Sequence, residues 1–241
     1  PWLSEFSNDI MLNAPLFERV KTVYKQRKNV KLNPEQQMLL EKQYKGFARN
    51  GANLNDTDKT SLRKIDAQLS QLSLQFGENV LAETNAFELH LTNSDDLAGL
   101  PESVCEAAAQ LAKQEGKEGW IFTLDFPSYI PFLTYADNRE LRKKMAIAAG
   151  KKGFQDNAFN NEENVLQIVN LRHQRAKLLG YKSHSHFVLE ERMAETPEKV
   201  FSFSNDLLAK AKPAAKKEFN HLAEFAKRLD GIDQLEKWDG A

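Results

Sequence analysis

Residues 33–51, NPEQQMLLEKQYKGFARNG, carry both the start and the stop signals of an α-helix. Asn33 can cap the first turn, Pro34 suits the first helical position, and Gln36 can complete a capping box. Apolar side chains then recur at three- and four-residue steps until Gly51 ends the pattern. The stretch therefore predicts an amphipathic helix with one face buried against a neighbouring element.

The same pattern recurs on both sides of this stretch, so most of the chain is predicted to be helical. A helix beginning near residues 55–56 presents a continuous apolar stripe, which should pack along the helix over 33–51. Gly180 is expected to close a later helix as a left-handed cap, Pro213 to bend the last helix, and the polar loop 151–160 to be mobile. The other predicted helices begin at Asn13 and cover residues 101–114, 137–150, 161–179, 185–193 and 196–230.

Residues 86–136 have a different character from the rest of the chain. Apolar residues alternate with polar ones over residues 87–92, which is the periodicity of a strand. An aromatic and β-branched run follows at residues 120–126, and Pro127 and Pro131 are expected to break the chain after it. These features predict a mainly α fold, a multi-helix array with a small β-sheet or hairpin insertion. The predicted division is a helical N-terminal region, a β-containing insertion with one helix, and a second helical region, at residues 1–85, 86–136 and 137–241.

The composition is that of a folded domain without a strong net charge. The chain has 33 Lys+Arg against 34 Asp+Glu, and the formal charge of −1 leaves no field that attracts nucleic acid or anionic lipid. No apolar run reaches the roughly 18 residues that a membrane span requires. The single cysteine, Cys105, is expected to be a small buried hydrophobe on a helix. Neither nucleic acid nor a membrane is an expected partner.

The paired histidines His184 and His186 are the best candidates for a metal site. Residues two apart share one side only in an extended backbone, and a helix would splay them apart. Glu190 and Glu191 on the following turn are the nearest acidic residues. The favoured interpretation has no metal here: a serine at position 183 or 185 caps a helix, and both histidines pack or face solvent.

The remaining titratable candidates have structural explanations. No histidine precedes a glutamate, so the zinc motif H-E-x-x-H is absent, and neither G-x-S-x-G nor a phosphate loop occurs. Acidic pairs fit helix starts or solvated faces, and an isolated histidine is more often structural than catalytic. These residues are Asp95-Asp96, Glu162-Glu163, His90, His173 and His221.

An aromatic cluster within residues 120–135 could either line a peptide-binding cleft or form the core beneath the sheet. Aromatic walls with polar tips suit substrate recognition, but large rings are also common core material. Core packing is the favoured interpretation. The cluster comprises Trp120, Phe122, Phe126, Tyr129, Phe132 and Tyr135.

Several blocks of the chain resemble one known family. The clearest are QFGENVLAETN at residues 75–85 and LLGYKSHSHFVLEERMAETP at residues 178–197, and others lie at 32–41, 51–54, 96–101 and 122–142. From about residue 11 to residue 239 the chain resembles the thimet oligopeptidase-like zinc metallopeptidases. The blocks at 122–142 and 182–197 are most similar to the peptidyl-dipeptidase, or dipeptidyl carboxypeptidase, branch.

This resemblance implies a mostly helical protein whose two halves flank a deep channel. In that family one zinc is held by two histidines and a glutamate, and these belong to the half that would follow this chain. The chain is therefore expected to be an N-terminal-half, non-catalytic segment of a zinc-dependent peptidyl-dipeptidase that hydrolyses short peptides, and to form part of the channel wall. No catalytic residue and no metal ligand is expected among the 241 residues, and the substrate-binding residues are left unassigned.

The resemblance also implies the partners, namely short peptide substrates and the C-terminal half of the same polypeptide. The chain opens Pro1-Trp2-Leu3 without a basic or apolar leader, so a targeting peptide is either missing or already removed. The cytoplasm is the expected location and the periplasm the alternative. The alternative function is a stand-alone helical binding module without catalytic activity. An H-E-x-x-H motif downstream of Ala241 would favour the peptidase, and a stop codon would favour the module.

Overall fold

The computed structural model describes residues 2–240 and is dominated by helices. Within those residues lie ten α-helices: α1 Trp2–Met11, α2 Ala14–Gln26, α3 Pro34–Arg49, α4 Asp56–Ala86, α5 Glu102–Gln114, α6 Phe126–Tyr135, α7 Arg139–Gly150, α8 Glu162–Leu178, α9 His184–Leu189 and α10 Pro197–Asp230. Two short strands, β1 Leu89–Leu91 and β2 Trp120–Phe122, and two 3₁₀ turns, Ser94–Leu97 and Lys237–Asp239, accompany them. The predicted mainly α fold with a small sheet is confirmed.

Helix α3 begins and ends where the sequence predicts. Asn33 Oδ1 accepts a hydrogen bond from the Gln36 amide at 2.8 Å, and the Gln36 side chain accepts one from the Asn33 amide at 3.1 Å, which together form the capping box. After Arg49 the chain turns through Gly51, whose φ of +97° lies in the left-handed region. A Cβ at this position would lie 2.6 Å from the buried side chain of Leu62, so both the backbone angle and the space require glycine.

The chain divides into two compact units, of which the first comprises Pro1–Gln75 and Glu163–Phe203. Its aromatic core joins α2 to α3: Phe17 is buried, and its ring centroid lies 5.8 Å from that of Tyr44 and 5.8 Å from that of Phe47. Large stacked rings bury much apolar area and prefer such offset arrangements. This contact is therefore the main apolar attachment between the two helices. Helix α1 precedes the first helix that the sequence predicts.

The second compact unit comprises Phe76–Glu162 and Ser204–Ala241. Strands β1 and β2 pair antiparallel, with Leu89 opposite Phe122, and α5 separates them in sequence. Phe122 and Phe132 are fully buried in the core beside this sheet. The predicted sheet is thus a pair of strands joined by a helix rather than by a tight turn. The division of the chain into three regions stays a prediction.

Helix α6 corrects the prediction that Pro127 and Pro131 break the chain. It runs through both prolines, from Phe126 to Tyr135, and it begins within the aromatic run, which is why β2 is shorter than that run. Pro127 lies in the first turn, where a missing N–H has no helical partner to lose. Pro131 removes one backbone hydrogen bond, and burial of the neighbouring Phe132 and Leu133 offsets that loss.

The loop 151–160 between α7 and α8 is anchored to Glu83 of α4. The Glu83 carboxylate is 5% exposed and accepts hydrogen bonds from the Gly153 amide and from the side chains of Gln155 and Asn157. Asn161, which is fully buried, accepts a hydrogen bond from the side-chain amide of Asn79 at 2.9 Å. The connection that the sequence predicts to be mobile is therefore held to α4 at several points.

Candidate functional site

The segment that carries the paired histidines is fastened to the end of α3 by Arg49. The Arg49 guanidinium donates hydrogen bonds to the Tyr181 hydroxyl at 3.2 Å, to the Glu190 carboxylate and to the Phe187 carbonyl. Its carbon also lies 4.8 Å from the centroid of the Phe187 ring. One arginine thus binds residues before, within and after α9 and fixes that helix against α3.

Both acidic residues that follow α9 are engaged by cations. Glu190 accepts a hydrogen bond from the Tyr181 hydroxyl at 2.7 Å as well as from Arg49. Burial alone would raise the pKa of Glu190, but these hydrogen bonds outweigh it and hold the pKa below its ordinary value. Glu191 pairs with Lys45. Both carboxylates are thus paired with cations of α3 rather than with the histidines.

The two histidines have different surroundings, as expected for residues two apart at the start of a helix. Ser183 caps α9, and its hydroxyl lies 2.7 Å from His186 Nδ1, while His186 Nε2 lies 3.7 Å from Glu198. His184 Nδ1 is buried, and no hydrogen bond from residues 2–240 reaches it. Burial and the nearby positive charges of α8 lower the pKa of His184. The expected serine cap is confirmed, with Ser183 in that role.

No group of three or more His, Cys, Asp or Glu side chains among residues 2–240 is arranged to hold a metal ion. His90 instead makes a 2.7 Å hydrogen bond to the Glu118 carbonyl beside β1. Cys105 is half-buried on α5, and burial raises the pKa of its thiol, which favours the protonated and unreactive form. The assignment of no metal ligand and no catalytic residue to this chain stays a prediction.

The aromatic cluster is mostly core, as the favoured interpretation predicts. Phe122 and Phe132 are fully buried and meet edge to face at 4.7 Å between ring centroids. Trp120 and Tyr129 are half-buried against the same core. The other two members, Phe126 and Tyr135, are exposed and extend beyond it. The cluster as a whole therefore does not line one concave surface.

A small cavity that the sequence does not predict lies beside this core, between α5, β2 and the start of α6. Its volume is about 260 Å³. The α5 side of the cavity is apolar, and Asp125 and the hydroxyls of Thr123 and Ser128 supply its polar lining. Ser128 is already engaged, since its hydroxyl accepts a 3.0 Å hydrogen bond from the Thr123 amide. The only sequence feature that could have indicated this cavity is the row of small side chains on α5. Such a row is equally consistent with close helix packing and with a cavity. The lining residues are Val104, Ala107, Ala108, Leu111, Ile121, Thr123, Asp125, Pro127 and Ser128.

A second cavity, polar and of about 420 Å³, lies within the first compact unit. Arg175 of α8 crosses it to Asp66 of α4, with 2.7 Å between guanidinium Nε and carboxylate oxygen. Both side chains are largely buried, so the ion pair is a fixed part of the cavity wall. Partners 109 positions apart cannot be matched by local pattern, and the sequence therefore gives no sign of this site.

Comparison with known proteins identifies relatives of the whole chain. Residues 132–241 match the sequence model of Peptidase family M3. Oligopeptidase A of Haemophilus influenzae is 33% identical over 243 aligned residues, which cover 99% of this chain and 36% of that protein. Oligopeptidase A of Escherichia coli is also 33% identical, with the same coverage. Dipeptidyl carboxypeptidase of Escherichia coli is 28% identical over 240 residues, 99% of this chain and 35% of that protein.

The predicted resemblance is thereby confirmed: the chain is similar to thimet oligopeptidase-like M3 metallopeptidases. It spans about a third of the length of these relatives. Both oligopeptidases and dipeptidyl carboxypeptidases occur among them, so the assignment to the peptidyl-dipeptidase branch stays a prediction. No helix within residues 2–240 is long and apolar enough to cross a membrane.

Proposed function

We propose that this chain is a non-catalytic segment of a zinc-dependent peptidyl-dipeptidase or oligopeptidase that hydrolyses short peptides. One observation carries the proposal: the chain aligns over 99% of its length with peptidases of which it spans only about a third. The metal motif that such chemistry requires is missing from its 241 residues. The proposed place for that motif is the remaining part of the longer polypeptide.

The surroundings of the metal-ligand candidates among residues 2–240 support the proposal that zinc binds elsewhere in the longer polypeptide. A catalytic zinc needs three protein ligands that converge and a position left open for water. His184 and His186 face different surroundings, and Glu190 and Glu191 are taken by Arg49 and Lys45. No catalytic step is therefore assigned to these residues.

The role proposed for the segment is to form part of the wall that restricts entry to a substrate channel. Helices held by long-range contacts, such as α3 and α9 through Arg49, suit a rigid wall better than a mobile lid. The proposed partners are short peptides and the C-terminal half of the same polypeptide, and the proposed location is the cytoplasm.

A comparison of two proteins tests the proposal: the 241-residue chain and the full product of the natural reading frame. Metal content and cleavage of short peptides are measured for both. The 241-residue chain is expected to bind no stoichiometric zinc and to cleave no peptide, whereas the full product should cleave peptides and lose that activity to a chelator. Metal-dependent turnover by the 241-residue chain would contradict the proposal. A reading frame that stops after Ala241 would favour the stand-alone binding module instead.

A further inference from the structure

Helix α10 carries a row of large apolar side chains that the rest of the second compact unit leaves at least half exposed. In the part within the second compact unit, residues 204–230, these side chains share one face of the helix. They form two groups, and Ala211 and Ala215 connect the groups at four-residue steps between Leu207 and Phe219. Each of the large side chains is between 50% and 64% exposed. They are Leu207, Leu208, Phe219, Leu222, Phe225 and Leu229, and they are called the apolar stripe below.

The opposite face of the same helix is polar. Asp206 and Lys210 form a 2.8 Å ion pair there, and Asn220 and Glu224 lie further along that face. Pro213 also falls on the polar side, so the apolar stripe continues past it. The division into two faces is that of a helix built to be covered on one side.

Exposure along the whole apolar stripe is unusual for a helix of this length. α10 has 34 residues, and none of them is buried. Amphipathic helices in proteins are stabilised mainly by packing of the apolar face, and contiguous apolar patches on soluble monomers usually mark interaction sites. The turn after the helix is fastened, since Arg139 of α7 makes hydrogen bonds of 2.8 and 2.7 Å to the Asp239 carboxylate. The side chains of the apolar stripe are at least half exposed within that same unit.

We propose that the apolar stripe is the docking surface for the remaining part of the longer peptidase polypeptide. This inference rests on the proposed function and adds the surface through which the two parts meet. The relatives contain almost twice as many residues outside the matched region as within it, which is ample chain to cover one helix face. Ala211 and Ala215 interrupt the large side chains at the middle of the stripe and leave room for a partner helix to approach closely.

The charges beside the apolar stripe favour a partner of different sequence over a second copy of this chain. Lys212 and Lys216 border the stripe on one side near its middle. Two copies packed antiparallel along the stripe would bring these lysines close to their own counterparts, and like charges repel. Glu218 lies on the stripe face one turn before Leu222. A covering helix that is apolar on one face, acidic along the edge facing the lysines and basic opposite Glu218 therefore fits the surface better.

Amide hydrogen exchange measured by mass spectrometry tests the inference on intact proteins. Peptides covering residues 207–229 are compared between the 241-residue chain and the full product of the natural reading frame. Docking is expected to slow exchange in this segment by about 100-fold or more in the full product. Equal exchange in the two proteins would overturn the inference. Protection that appears only in a dimer of the full product, detected by sedimentation, would assign the stripe to a second copy and would also overturn it.

Two matched substitutions in the full product give an independent measurement. Leu222→Asp places a charge in the apolar stripe, and Asn220→Asp places the same charge on the polar face two positions away. The first is expected to remove the protection of residues 207–229, and the second to leave it unchanged. Loss of this protection in both variants, or in neither variant, would count against the apolar stripe as the docking surface.

Peptidase activity of the same full product separates this inference from the proposed function. Zinc-dependent cleavage without protection of residues 207–229 would overturn the docking surface and leave the proposed function intact. Protection without any peptide cleavage would support the docking surface as a contact within one polypeptide and overturn the proposed function.

Discussion

Arg49 is the residue on which the position of α9 depends most directly. Its side chain is 17% exposed and reaches a hydroxyl, a carboxylate and a carbonyl that lie 132 to 141 positions away in sequence. A shorter or neutral side chain could not satisfy these acceptors together. The histidine-bearing segment would then be held only by apolar contacts.

Replacing Arg49 with methionine is expected to lower the free energy of unfolding by about 1 to 2 kcal/mol, after allowance for solvent screening of the half-exposed Glu190. Arg63→Met is the matched control, because the Arg63–Asp9 ion pair is exposed and should contribute about 0.5 kcal/mol or less. Urea denaturation followed by circular dichroism measures both. Equal losses in the two variants would contradict the role given to Arg49.

Glu83 makes the stability of the second unit depend on pH. Burial would raise the pKa of this carboxyl, but hydrogen bonds from Asn157, Gly153 and Gln155 outweigh burial and hold the pKa below its ordinary value of 4.5. Because the folded pKa is depressed, the contribution to stability is present above about pH 4.5 and is lost as pH falls through the folded value.

The substitution Glu83→Gln is therefore expected to lower the urea midpoint at pH 7 and to weaken the fall of that midpoint between pH 5 and pH 3. The physical reason is that glutamine offers one neutral acceptor where three donors meet a carboxylate. Glu78→Gln, at an exposed position on the same helix, is the control and should follow the parent protein. A variant whose midpoint keeps the full acid dependence would show that the loop anchor lies elsewhere.

At the scale of elements, α3 contains one glycine, Gly46, that alanine can replace, and a second glycine, Gly51, that follows the helix and cannot be replaced without strain. Gly51→Ala is expected to cost about 2 kcal/mol or more, because φ is +97° and the added Cβ would meet Leu62 at 2.6 Å. Gly46→Ala, within the helix and with open space around the added atom, should instead stabilise by about 0.5 to 1 kcal/mol. Thermal unfolding of the two variants measures the difference, and a shift of the same sign in both would contradict this account.

The elements that the sequence predicts well are those whose signals are local. The capping box at Asn33, the left-handed Gly180 after α8 and the serine cap of α9 each depend on residues within one turn. Local signals could not predict that α6 continues through Pro131, because burial of Phe132 and Leu133 stabilises the helix there. The contacts of Arg49 and Glu83 could not be predicted from local sequence either, because their partners are 70 or more positions away.

The candidate site follows the same division. The splaying of His184 and His186 could be predicted because it follows from helical periodicity alone. The pairing of Glu190 and Glu191 with Arg49 and Lys45 could not, because it requires α3 to meet α9. The two cavities likewise arise only where separate elements come together.

For the molecule as a whole, the exposed apolar side chains predict how the 241-residue chain behaves in solution. Contiguous apolar surface that lacks its cover associates with itself. Sedimentation velocity is expected to show that the unsubstituted 241-residue chain associates increasingly, and without fixed stoichiometry, as its concentration rises. Leu222→Asp should reduce this association, and Asn220→Asp should leave it unchanged. A strictly monomeric particle at the highest concentration would contradict this expectation.

The hydrogen bond from the Gly153 amide to Glu83 also has a consequence for proteolysis. Lys151 and Lys152 form a basic pair that trypsin would recognise in an unstructured loop, yet the amide of the very next residue is bound to a buried carboxylate. Cleavage there must wait until the loop detaches from α4. The rate of tryptic cleavage at this basic pair therefore measures how often the loop detaches from Glu83.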